Sequence, residues 1–199
     1  MSSIGAGRPP AAPRGRPRDP ALRLRILEHA ARIAAEQGVG VGFDAIARAA
    51  GASRTTLYRW WSSPEELFLD ALLGSVRESI EPDEQSSVTE RLRRQVELAS
   101  VALVASPTGP PLRALAAAAL TSDPAHAAFV HSWLAPRRAV ARDLVEQGIA
   151  EGSIVDDDPE MLVDVLFAPI YHRVFFTGDA VDEQLVDALM RRVEKRQPA

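Results

Sequence analysis

Apolar residues recur at every third or fourth position along most of the chain, and the strict alternation of a strand is not evident anywhere. Leu22, Ile26, Ala30 and Ile33 share one face of a helix over 20–37, which a glycine-rich stretch at 38–42 ends. The same periodicity predicts helices over 43–50, 54–61, 64–80, 88–105, 111–121, 124–150, 159–177 and 182–195, with loops at 81–87, 106–110, 122–123, 152–158 and 177–181. Asp19-Pro20, Ser63-Pro64, Asp123-Pro124 and Asp158-Pro159 each pair an N-cap acceptor with a proline at the first helical position, where its missing N–H costs nothing. Ser63 to Glu66 also has the pattern of a capping box. The expected fold class is therefore all-α.

Residues 45–61, AIARAAGASRTTLYRWW, have the spacing of a helix-turn-helix. Two short helices that cross steeply need small side chains where their backbones meet, which Ala47 and Ala50 supply. The turn needs one residue with positive φ, and Gly51 stands where that falls. Ser53 is placed to cap the second helix. Ile46, Leu57 and Trp60 recur at helical spacing and are expected to face the core. That leaves Arg54, Thr55, Thr56, Tyr58 and Arg59 facing outward, a set of hydroxyls and guanidinium groups suited to a major groove and its phosphates.

Charge sharpens this picture. Residues 1–62 hold ten arginines against four acids, a surplus of +6, and the remainder carries −10, so a chain of net charge −4 is a basic head on an acidic body. Such asymmetry fits a duplex-binding module whose affinity depends on neutralised phosphates. Residues 1–18, proline-rich and without periodicity, are expected to be a disordered arm until bound. Within the arm, Arg14, Arg16 and Arg18 in RGRPR either enter an A·T minor groove, as an AT-hook does, or act as a solvated basic tail.

Other chemistry finds little support. The chain has no cysteine, which excludes disulfides and thiolate metal sites. Four histidines at 29, 126, 131 and 172 lack ligand spacing, and neither a phosphate loop nor a nucleophile motif is present. We expect no metal, no cofactor and no catalysis. The absence of a long apolar run or an apolar leader points to a cytoplasmic protein without a membrane partner.

The stretches RGRPRDPALRLRILEHAARIAAEQG, FDAIARAAGASRTTLYRWW and SPEELFLDAL together resemble the TetR family of transcriptional repressors over about a third of the chain. The resemblance implies a homodimer with an N-terminal three-helix DNA-binding domain over 19–64. A C-terminal bundle over 65–199 would bind a small effector and dimerise through its last two long helices. It assigns Thr56 and Tyr58 to phosphates, Arg54, Thr55 and Arg59 to bases or flanking phosphates, and Arg48 to the backbone of a palindromic operator. Gly42 and Pro64 depart from the threonine and lysine usual in the family, and each removes a phosphate contact.

The C-terminal half must hold whatever regulates binding. Phe129, Trp133 and Arg137 fall at helical spacing, and Pro136 is expected to kink their helix by freeing the Ser132 carbonyl. A second proline, Pro169, lies in VLFAPIYHRVFF, a helix apolar nearly all round and so expected to be buried against both the core and a dimer partner. Leu185, Leu189 and Val193 supply the matching stripe on the last helix. Phe129, Trp133, Tyr171 and Phe175, with His131 or Arg137 as polar anchor, form either an apolar effector pocket or plain core. In LRALAAAAL, residues 112–120, small side chains either let helices pack closely or leave space beside bulkier neighbours. The function these features favour is a repressor released by an apolar effector, with a constitutive DNA-binding protein as the alternative.

Overall fold

The computed structural model describes residues 19–78 and 85–195, with side chains described for 19–74 and 85–195. Helices α1 (Pro20–Gln37), α2 (Phe43–Ala50), α3 (Arg54–Trp60) and α4 (Pro64–Glu78) come first. They are followed by α5 (Val88–Leu103), α6 (Gly109–Ala118), α7 (Asp123–Phe129), α8 (Ala135–Glu151), α9 (Pro159–His172) and α10 (Glu183–Val193). Among the described residues no strand forms, and one antiparallel bridge joins Ile154 to Glu194. The arm carrying Arg14, Arg16 and Arg18 lies outside the described residues.

Helix starts follow the capping chemistry with two shifts. Asp19 accepts from the Ala21 and Leu22 N–H groups, and Asp158 from those of Glu160 and Met161. At α7, however, the cap is Ser122, and Asp123 is the first helical residue. Ser63 accepts from the Glu66 N–H at 3.2 Å, but the Glu66 carboxylate reaches past it to the Ser62 N–H at 2.6 Å, so the expected box closes one residue early. A complete capping box stands instead at Ser87 and Glu90.

The two prolines do not simply kink their helices. A π turn, Val130–Leu134, joins α7 to α8, with the Ala135 N–H bonded to the Val130 carbonyl five residues back, just before Pro136. A second, Arg173–Thr177, continues α9 past Pro169. Widening by one residue lets a helix run on near a missing donor.

Helix α4 packs against α1 and also against α6 and α7, so it links the first three helices to the rest. Buried side chains form one continuous cluster from Ile26 to Val193. Arg138 bridges Glu160 at 2.5 Å and also pairs with Asp164, clamping α8 to α9. The stripe Leu185, Leu189 and Val193, which matches that of the preceding helix, faces this core against α5 and α9. An amphipathic stripe shows that a helix has a buried face without saying whose core buries it. Helix α9 is covered on one side: Leu166 and Ile170 are fully buried, whereas Met161 is 58% exposed and Phe176, in the π turn that follows, 76%.

Candidate DNA-binding surface

Helices α2 and α3 meet at Gly51, whose φ of 61° and ψ of 35° are left-handed and whose N–H closes the end of α2. Ile46 and Leu57 are fully buried, and Ala47 and Ala50 are buried where the helices approach. The Arg25 Nε–H donates to the Ala50 carbonyl at 3.1 Å and ties α1 to the end of α2. Ser53 accepts from the Thr56 N–H at 3.1 Å, and the two hydroxyls lie 2.8 Å apart.

Trp60 packs against the core as its spacing predicts, and Trp61 joins it as the more deeply buried of the two. Trp61 leaves the helix with extended backbone, is buried, and donates its indole N–H to Asp70 on α4 at 2.9 Å. Arg23 of α1 pairs with the same carboxylate and lies over the Trp61 ring, 5.8 Å from its centroid. Trp60 stays half-buried, edge-on to Trp61. Helical spacing selects position 60, but the chain has already turned out of the helix at 61 and swings that ring inward.

Arg48, Arg54, Thr55, Tyr58 and Arg59 are all exposed, and Thr56 is half-buried. Tyr58 stands edge-on against the buried Phe43, ring centroids 4.8 Å apart. The Arg54 guanidinium lies 5.9 Å from the Tyr58 ring centroid, with Asp44 2.6 Å from its Nε. Hydrogen bonding with Tyr58, and then the Asp44 charge, raise the Arg54 pKa above its ordinary value. Sequence reasoning overlooked Phe43 and Asp44. Their position on the first turn of α2, directly behind the next helix, was the available signal.

The aromatic candidates of the C-terminal half also assemble. Trp133 is fully buried, 6.4 Å from Phe129 between ring centroids, with the Arg137 guanidinium 3.4 Å from the Trp133 ring centroid. Tyr171 stacks on Phe175 at 6.3 Å. Burial pushes the Tyr171 phenol up, while the nearby Trp133 indole and Arg137 charge pull it partly back. The Trp133 indole N–H lies within reach of the Tyr171 hydroxyl but completes no well-aligned hydrogen bond among the described residues. His131 is exposed and takes no part, because two residues along a helix turn it to the far side from Trp133. Arg137 is the polar member of the group.

A capped, glycine-hinged helix pair showing hydroxyls and arginines, carried on an all-helical scaffold, defines a helix-turn-helix DNA-binding regulator. The family models described as "Bacterial regulatory proteins, tetR family" and "Tetracyclin repressor-like, C-terminal domain" match residues 26–71 and 82–193. The chain belongs to the TetR family of DNA-binding transcriptional regulators. It is 31% identical to the uncharacterised HTH-type transcriptional regulator YdeS of Bacillus subtilis (strain 168), over 92% of each chain. It is 26% identical to the HTH-type transcriptional regulator AqdR of Rhodococcus erythropolis, over 76% of this chain and 72% of that one. Among solved structures, the TetR family transcription regulator SCO0332 superposes with a TM-score of 0.72 at 29% identity, covering 86% of this chain and 95% of the other. None of the described helices is long and apolar enough to cross a membrane.

Proposed function

We propose that the protein is a homodimeric repressor that grips a palindromic operator and is released by a small, largely apolar effector. In this reading residues 19–64 bind DNA, and residues 65–199 dimerise and bind the effector. The observation that carries it is the outward face of α3, where Arg54, Thr55, Tyr58 and Arg59 are all exposed beside a buried, rigid helix pair. A dimer would set two such helices in successive major grooves, about 34–36 Å apart.

The effector site proposed is the group of Phe129, Trp133, Arg137, Tyr171 and Phe175. Two π turns lie within or beside that group, and α7 and the first π turn pack on α4, the helix that carries Asp70 and the DNA-binding unit. An effector that binds one arrangement of these helices better shifts the separation of the α3 pair; a coupling of about 1–3 kcal/mol suffices. The test is to select bound sequences from random duplex DNA and then screen apolar metabolites for loss of the complex. A short inverted repeat released by one such compound supports the reading. A stable complex that no metabolite alters would mark a constitutive DNA-binding protein.

Within this assignment, Tyr58→Phe is expected to weaken binding to all duplexes alike, whereas Thr55→Ala shifts base preference; equal losses on every sequence for both variants would reverse the roles. The dimer surface proposed is the open side of α9 and the π turn that continues it, with Met161 and Phe176 exposed. Phe176→Glu should run as a monomer by light scattering and bind the operator roughly a hundredfold more weakly, since each half-site then binds alone. Wild-type mass for that variant would exclude this face.

A further inference from the structure

Asp44 is the one acid between residues 38 and 64, and it stands among exposed arginines on the face assigned to DNA. A carboxylate there repels phosphates, so its presence lowers the general attraction for duplex. Folding accounts for it only in part: its ion pair with Arg54 has both partners 60% exposed and contributes little, and its place in the first turn of α2 adds the modest stabilisation of an acid at a helix N-terminus.

What the pair does is restrict a long side chain. The carboxylate stands 2.6 Å from Arg54 Nε, and the Tyr58 ring faces the same guanidinium, itself braced edge-on by the buried Phe43. With Nε beside Asp44 and a further hydrogen bond between the guanidinium and Tyr58, the side chain is held from two sides and keeps one N–H on each terminal nitrogen for a planar, forked contact. That fork matches guanine O6 and N7 in the major groove, and holding it in place before binding reduces the ordering it would otherwise need.

We propose that Asp44 determines the specificity of Arg54: it holds the guanidinium from the Nε side, presents the terminal nitrogens to a guanine in each half-site, and turns phosphates away from the same spot. This rests on the DNA-binding reading above.

The experiment selects bound duplexes from a random pool with the full-length wild type, D44N, D44A, R54A and the D44A/R54A double variant, and measures binding to a fixed random duplex across salt concentrations. In the wild type a guanine stands at one position of each half-site. Both Asp44 variants reduce the preference there by about tenfold or more, R54A abolishes it at the same position, and the double variant matches R54A. D44A also binds random duplex more tightly than wild type at low salt, because the freed arginine takes a phosphate. All four variants melt close to wild type. A D44N profile with the guanine undiminished, or a loss at a position other than that of R54A, overturns the inference while leaving the DNA-binding reading intact. A wild type that selects no sequence at all overturns that reading, and this inference with it.

Discussion

Trp133→Ala is expected to lower the stability of the folded chain by about 3–5 kcal/mol, the range for removing a fully buried tryptophan from a core that cannot collapse around the space. Trp133 has no exposed surface and packs between Phe129 and the Arg137 guanidinium. Its spacing alone leaves it either in an effector pocket, where its loss would alter the effector response and spare the operator, or in plain core. Its depth makes it a stability residue as well, since the π turn that bears it packs on α4. Trp133→Phe should be much milder, because it keeps an aromatic ring and gives up only the poorly aligned contact of the indole N–H with Tyr171. Denaturant unfolding of both variants checks this, and similar midpoints for the two would show that Trp133 is not packed as described.

Gly148→Ala is expected to cost about 1–3 kcal/mol, roughly 2–12 °C in melting temperature, as overpacking rather than as a lost contact. A Cβ at Gly148 would lie 2.3 Å from Cγ1 and 3.1 Å from Cβ of Ile154, which is 1% exposed, so the clash involves the root of a buried side chain rather than a flexible tip. The Gly148 carbonyl also accepts the N–H groups of Ser153 and Ile154, so the chain reverses direction against this residue. The reversal then docks the end of the chain: Val155 N–H bonds to the Val193 carbonyl at 2.8 Å and Lys195 N–H to that of Ser153 at 2.9 Å. Gly74→Ala is the control, in open space on α4, where added helix propensity should stabilise by about 0.5–1 kcal/mol. Calorimetric scans in which both variants shift the same way would contradict the close approach at Gly148.

Much of the DNA-binding unit was legible because its signals act within a single turn. Asp19, Gly38, Gly51, Ser53 and Asp158 impose their conformations through their own side chains or backbone freedom, and each stands in the role its type favours. The outward set from Arg54 to Arg59 followed from the same local rule, since helical periodicity alone separates it from Leu57. The TetR family was legible for a related reason: its identifying residues are contiguous.

Where local reading failed, the deciding contact came from a distant element. Trp61, which helical spacing did not select, enters the core beside Trp60, with Asp70, nine residues on, accepting its indole N–H. Leu185, Leu189 and Val193 are covered by α5 and α9 of the same chain, which the stripe's spacing alone does not specify. Asp44 and Arg54, ten residues apart, are unremarkable until the Gly51 turn folds one over the other.

By itself, then, the amino-acid order determined the helices, their caps, the hinge of the DNA-binding pair and the basic character of its exposed face. Only the assembled fold decided which apolar stripes are shared within the chain, which arginine is braced, and which aromatic rings meet around Trp133. The division has a physical cause: capping and backbone preference are settled over a few neighbouring residues, whereas burial and charge pairing depend on which helices come to lie side by side.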